Sequence, residues 1–263
     1  MIELKILLLG TPVILWRDQP LLIKRRIPRA ILYYLATQEQ PVGRGELLGL
    51  LWPEEPPEMA RAYFRDNLSR LRTSLPDPSL LRAEINNVYL DPARTWVDIK
   101  EYHRVNTRAN EALWNISSDL PIPEALYKEM AYAESLWRSN RMLAGVDLPN
   151  TVEYETWVGN LEKRELRSHI LILERLAAHC SVVGDRGWRI QWLYTLVDID
   201  PYNEDYHIGI MEALQQLGNP REAYRYGLEV QERYQKDLNS LPSAKFNAIV
   251  GEFASSHGDK VAS

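Results

Sequence analysis

Residues 57–75 read PEMARAYFRDNLSRLRTSL, and the period of this stretch decides the fold. Ala60, Phe64, Leu68, Leu71 and Leu75 recur at the spacing of one apolar face of a helix. Arg61, Arg65 and Arg72 fall on the adjoining flank, with Ser69 between them and the far side. A guanidinium is shaped for phosphate oxygens and for the O6/N7 edge of guanine. A helix apolar behind and arginine-rich in front can pack on a domain and enter a DNA groove. A merely solvated arginine face is the alternative, and this helix alone does not choose between them.

The flanking segments supply the context. Three short strands are expected at Leu4–Leu9, Val13–Trp16 and Leu21–Ile23, joined by the turn-forming Gly10-Thr11-Pro12 and Arg17-Asp18-Gln19-Pro20. Pro28 precedes a helix, Arg29–Gln38, with Ile31, Leu32 and Leu35 inward. Pro41-Val42-Gly43 breaks the chain before a second helix, Arg44–Leu51, which buries Leu47, Leu48 and Leu51. The stiff turn Trp52–Pro57 leads into the arginine-bearing helix. Two further strands follow, Leu80–Ala83 and Val88–Leu90, with Glu84–Asn87 as the tip between them. Asparagine tolerates positive φ, so Asn86-Asn87 suits a tight hairpin. Two short helices holding a third, followed by a hairpin, describe a winged helix-turn-helix, and the leading small sheet resembles the OmpR-like version. A different small α+β domain with this element order is the alternative. In a winged helix the third helix reads the major groove and the hairpin reaches the neighbouring backbone or minor groove.

Composition bounds the rest. The chain has 263 residues, enough for two domains. Its net charge is −5, which argues against a generic nucleic-acid coat. The charge is unevenly spread. Residues 1–95 carry 13 Lys+Arg against 11 Asp+Glu, a balance of +2, and the remainder carries −7. No apolar run is long enough to span a bilayer, and MIELKILLLGTPVILW lacks the features of a signal peptide. The single cysteine excludes a disulfide framework and fits a reducing cytoplasm. No membrane partner is expected, and the predicted localisation is cytoplasmic.

From Val97 onward the pattern is helical. Helices are expected at Asp98–Trp114, at Glu124–Leu143 ending in Ala144-Gly145, and at Glu155–Val183 ending in Gly184. A repeat then appears. Gly184 and Gly218 lie 34 residues apart, and the same offset pairs Leu176 with Ile210, Ala177 with Met211, Cys180 with Leu214 and Val183 with Leu217. Two helices per 34 residues, a glycine between them and Pro201 closing the first unit, form a tetratricopeptide-like pattern. Arg189 stands where Ala223 does in the second unit, and Gln235 replaces the closing proline. Such repeats stack and present a concave surface to a protein or peptide. A plain helical bundle is the alternative. The tail beyond residue 255 is small and polar and is expected to be disordered.

Catalytic patterns are missing. There is no Gly-rich phosphate loop, and His103, His169, His179, His207 and His257 form no helical metal-ligand pair with a carboxylate. Cys180 falls on the inward side of its helix, so it reads as packing rather than as a nucleophile beside His179. Trp137, Trp157, Trp188 and Trp192 lie within helical patterns. No enzyme, cofactor or metal is expected.

The assembled features resemble the antibiotic-regulatory (SARP) type of bacterial transcriptional activator, an OmpR-like winged helix fused to a bacterial transcriptional activator domain. The resemblance rests in front on Glu46-Leu47-Leu48, Leu51-Trp52-Pro53, Leu68–Arg72 with Leu75, Tyr89-Leu90 and Val97-Asp98. Behind, it rests on Met142–Gly145, Tyr154-Glu155, Trp157, Asp200–Glu204, Ala213-Leu214 through Gly218, Glu222-Ala223 and Leu241-Pro242-Ser243. The wing tip departs from the family, which usually has glycines where Asn86-Asn87 stand. The expected domains are 1–95, winged helix; 96–255, activator domain; and 256–263, tail. Arg61, Arg65, Ser69 and Arg72 are expected toward DNA, with Asn67 and Arg70 in second rank, and Arg82, Asn86 and Asn87 on the wing. The resemblance implies binding of double-stranded DNA at promoter direct repeats, a homo-oligomer on DNA and contact with RNA polymerase. The rival reading is a tetratricopeptide-type interaction scaffold whose winged helix does not bind DNA.

Overall fold

The computed structural model describes residues 1–114, 117, 120–143, 148 and 151–258, with side chains to residue 254. The expected helix end at Ala144-Gly145 and most of the expected disordered tail lie outside the described residues. Two compact units are present, one formed by Met1–Arg108 with Tyr132–Arg167, the other by Ala109–Ala131 with Ser168–Ser263.

The first unit opens with β1 (Leu4–Leu7), β2 (Val13–Trp16) and β3 (Gln19–Pro20). β1 and β2 pair antiparallel, and β2 pairs with β3 across the two-residue turn Arg17-Asp18. Both turn residues have positive φ, 49° and 63°, as a tight hairpin turn requires. Arg17 is held by Glu3 at 2.6 Å and Asp18 by Lys5 at 2.5 Å. The expected strand Leu21–Ile23 is therefore corrected. The turn takes two residues instead of four, so the third strand forms earlier and pairing ends with Leu21 N–H on the Ile14 carbonyl. β1 likewise stops at Leu7 rather than Leu9. The N–H groups of Leu8 and Leu9 donate to the buried carboxylate of Asp98, at 2.7 and 3.0 Å. Asp98 follows β7 (Thr95–Val97), a strand without a sequence-based counterpart that lies parallel to β1 and completes the sheet β3-β2-β1-β7.

α1 (Arg26–Thr37) starts before the expected Arg29. Pro28 is then its third residue, still in the first turn, where an N–H has no intrahelical partner to lose. β4 (Val42–Gly43) and α2 (Arg44–Leu51) lead through Trp52 into α3 (Pro57–Ser74). The α3 stripe Ala60, Phe64, Leu68 and Leu71, with Leu75 just beyond it, is buried, and α3 packs on α1 and α2. A 3-10 turn at Pro78–Leu80 precedes β5 (Leu81–Ala83) and β6 (Asn87–Leu90), which form the three-stranded sheet β4-β6-β5.

The helical part comprises α4 (Asp98–Leu113), α5 (Glu124–Ser135), α6 (Val152–Val183), α7 (Arg186–Ile199), α8 (Glu204–Gln216), α9 (Pro220–Leu238) and α10 (Ala244–Gly258). α5 ends well before the expected Leu143. Its last turn closes tightly, Leu136 and Trp137 N–H donating to the carbonyls of Ala133 and Glu134, and Arg138 N–H then pairs with the Leu9 carbonyl. In the second unit α7, α8, α9 and α10 pack in sequence. Gly184 and Gly218 both have positive φ, 83° and 80°, so the 34-residue echo marks two equivalent helix ends. Leu176, Ile210, Ala177, Met211, Cys180 and Leu214 are buried, whereas the matched Val183 and Leu217 are exposed. Glycine also marks close approach. A Cβ on Gly227 of α9 would lie 2.7 Å from Val250 Cγ2 and 2.9 Å from Met211 Sδ, while one on Gly251 would meet open space. Gly227→Ala should therefore cost about 1–3 kcal/mol in urea unfolding, whereas Gly251→Ala should cost nothing. Equal stability of the two variants would contradict this packing.

Candidate nucleic-acid interface

The buried stripe fixes which side of α3 meets solvent. At 3.6 residues per turn, Arg61, Arg65 and Arg72 stand on one flank, and Ala62, Asp66, Ser69 and Thr73 occupy the middle of the free face. Trp52 braces the entry to α3, its ring 6.4 Å from Tyr63 and 6.5 Å from Phe64. The Arg44 guanidinium lies 5.9 Å from the centre of the Phe64 ring.

The arginines differ in their partners. Arg65 is exposed and makes no ion pair among the described residues. Arg61 pairs with Glu58 at 3.0 Å and Arg70 with Asp66 at 2.7 Å, both within one helical turn on the surface. Such exposed pairs contribute about 0.3–0.5 kcal/mol, so a phosphate can displace them. Arg72 is half-buried and its guanidinium leans to the Leu81 carbonyl of β5 at 3.5 Å, a long contact linking α3 to the hairpin. Ser69 is exposed, and Asn67 turns its amide onto the Tyr63 carbonyl at 2.8 Å.

On the hairpin, Arg82 pairs with Asp91 at 2.9 Å and holds that carboxyl below the usual range. Asn86 is exposed and Asn87 half-buried. The expectation of positive φ at Asn86-Asn87 is corrected, since neither residue has it. Arg44 supplies the reason. Its N–H and its guanidinium take the Asn86 and Glu84 carbonyls, both at 2.8 Å, so the tip is tied to the start of α2. Ile85 at that tip is 90 % exposed. Lys24, Arg25 and Arg26, outside the site expected from the sequence, are three consecutive exposed cations just before or at the start of α1. Their sequence signal is the unbroken charge run itself.

Arg94 anchors the base of the hairpin. It binds Glu3 at 2.7 Å and Asp77 at 2.6 Å, and donates to the Ser79 hydroxyl. Hydrogen bonds from Arg94 and Ser79 hold the Asp77 carboxyl well below its usual range, and Arg17 with Arg94 lowers that of Glu3. Among the described residues, no group of His, Cys, Asp or Glu could hold a metal ion, and no helix is long and apolar enough to cross a membrane.

A winged helix preceding a helical repeat unit is the architecture of a class of two-part transcription regulators. A family profile described as bacterial transcriptional activator domain matches residues 101–252. The chain belongs to that family, and with its winged helix it has the two-part make-up of the SARP type. A solved structure, Mycobacterium tuberculosis EmbR in complex with a low affinity phosphopeptide, is similar over 97 % of this chain and 65 % of that one. The identity is 22 % and the TM-score 0.63, a likeness of fold, and this chain spans under two thirds of that protein's length. No curated protein matches in a sequence search.

The Arg94 clamp carries a pH signature. Both carboxyls have lower pKa values folded than unfolded, so their contribution is complete above the unfolded value of about 4 and is lost as pH falls through the folded values. Arg94→Ala should be less stable than the parent at neutral pH, with the gap narrowing below about pH 4. Urea midpoints across pH check this, and a gap that widens in acid would contradict it.

Proposed function

We propose that this activator binds double-stranded promoter DNA, with α3 in the major groove and the β5–β6 hairpin along the adjacent backbone or minor groove. In this reading residues 1–95 are the DNA-binding domain, 96–255 the activator domain and 256–263 a tail. The observation that carries it is an exposed Arg65, without an ion pair among the described residues, beside exposed Ser69 on a helix whose opposite side is buried. Arg61, Arg70 and Arg72 supply further contacts from α3 and Arg82, Asn86 and Asn87 from the wing, with Asn67 reaching DNA only if it leaves Tyr63. Two or more protomers occupy direct repeats. The acidic rear, with a balance of −7 beyond residue 95, is the side that meets RNA polymerase or a second protomer. The protein works in the cytoplasm, where its DNA is.

The pairing of Arg61, Arg70 and Arg82 with carboxylates is the observation that favours the scaffold reading. A gel shift against DNA upstream of neighbouring genes, with a salt titration, separates the two. DNA binding predicts a retarded complex that weakens steeply with salt. A scaffold predicts none. Within the DNA reading, Arg65→Ala should cost about 1–3 kcal/mol and relax specificity at one base pair if it reads a base. If it meets phosphate, binding falls uniformly and the salt slope lessens by about one. Unchanged binding removes Arg65 from the interface.

A further inference from the structure

The segment between β3 and α1 brings two cations to the side of α3. Lys24 and Arg25 are exposed and have no ion pair among the described residues. They line a cleft of roughly 420 Å³ together with Ser69, Arg70, Thr73 and Ser74 of α3. Its remaining wall is Leu22, and no carboxylate lines it. Arg25 is also the residue that opens α1, whose first turn has no side-chain cap and no acidic residue. The positive end of that helix is thus left uncompensated at the edge of the cleft. On the α3 side, Thr73 and Ser74 donate their hydroxyls to the Ser69 and Arg70 carbonyls, at 2.9 and 2.8 Å. Their lone pairs do not recognise an anion, so the donors left for one are Lys24, Arg25 and Ser69, with Arg70 joining them when a phosphate displaces Asp66, which it binds at 2.7 Å.

We infer that this cleft seats phosphates of the DNA strand bordering the groove that α3 occupies, gripping α3 from outside the helix. The inference rests on the DNA-binding reading and adds an anchor outside both α3 and the hairpin. The shared chemistry is a phosphate dianion or diester. DNA is the assigned source because the cleft is continuous with the free face of α3 through Ser69, which belongs to both. Contacts of this kind carry affinity and register, not base sequence.

The test compares the full chain with its Lys24→Gln/Arg25→Gln variant by fluorescence anisotropy. It uses a promoter duplex and a scrambled duplex, each at several salt concentrations. Both positions are solvent-exposed, and equal melting temperatures establish that the variant is folded. The expected result is about tenfold weaker binding to both duplexes, a salt slope reduced by about two, and an unchanged preference between them. Unchanged affinity and slope in the variant overturn the inference and leave the DNA reading standing. A parent protein that binds neither duplex overturns both. Calorimetry with inorganic phosphate at constant ionic strength forms the second arm. Phosphate binding lost in the variant while its DNA affinity is unaltered would assign the cleft to a free phosphorylated ligand and overturn the DNA assignment.

Discussion

Burial of five apolar side chains on one side of a helix is the constraint on which the rest depends. Ala60, Phe64, Leu68, Leu71 and Leu75 are each less than a tenth exposed. Fully burying a large apolar side chain is favourable by about 1.5–3 kcal/mol. Rotating α3 by half a turn would expose all five and bury Asp66 and Arg70. The rotation of the helix is therefore set from behind, and the outward position of Arg65 and Ser69 is its consequence. The partly buried Arg72 lies at the edge between the two sides, which is why it reaches the β5 carbonyl.

The hairpin is held by the same logic of few but specific ties. Arg44 fixes its tip, Arg72 touches its first strand, and Arg94 clamps its base to the start of β1 through Glu3 and Asp77. These contacts set the hairpin against α3 within one compact unit. Two of the carboxylates that keep the positive balance of the front small, Glu3 and Asp77, are the partners of Arg94. Several arginines of the front serve as internal fasteners; among the described residues Arg65 on α3 and the Lys24–Arg26 run make no ion pair, while Arg61 and Arg70 are held only by exposed carboxylates of their own helix.

Much of this architecture was legible in the sequence. α3 and α2 fall where the apolar period, the prolines and the glycines place them, and the 34-residue echo matches two helix ends with positive φ at Gly184 and Gly218. What was illegible depends on contacts between distant residues. β7 is three residues long and exists because β1 lies alongside it. α5 stops at Ser135 because the chain beyond it pairs with Leu9, far away in sequence. The turn at Arg17-Asp18 is stabilised by ion pairs to β1 and to the residue before it, which no local propensity reports. In the candidate interface, the helical period gave the face but not the partners, since Glu58 and Asp66 lie on the same helix as the arginines they bind. Nor did it bring Lys24 and Arg25 beside Ser69, which only the packing of α1 on α3 does.

If the free face of α3 meets DNA, a cutting reagent tethered to that face will cleave the strands it lies against. Cys180 is buried, so a Ser69→Cys variant offers one accessible thiol for an iron chelate. A Trp188→Cys variant does the same on the exposed surface of α7. Strand cleavage of a promoter duplex is expected in clusters centred on each repeat for the label at 69, and none of that pattern for the label at 188. Cleavage from 188 alone, or none from 69 under conditions where the complex forms, would contradict a DNA-facing α3.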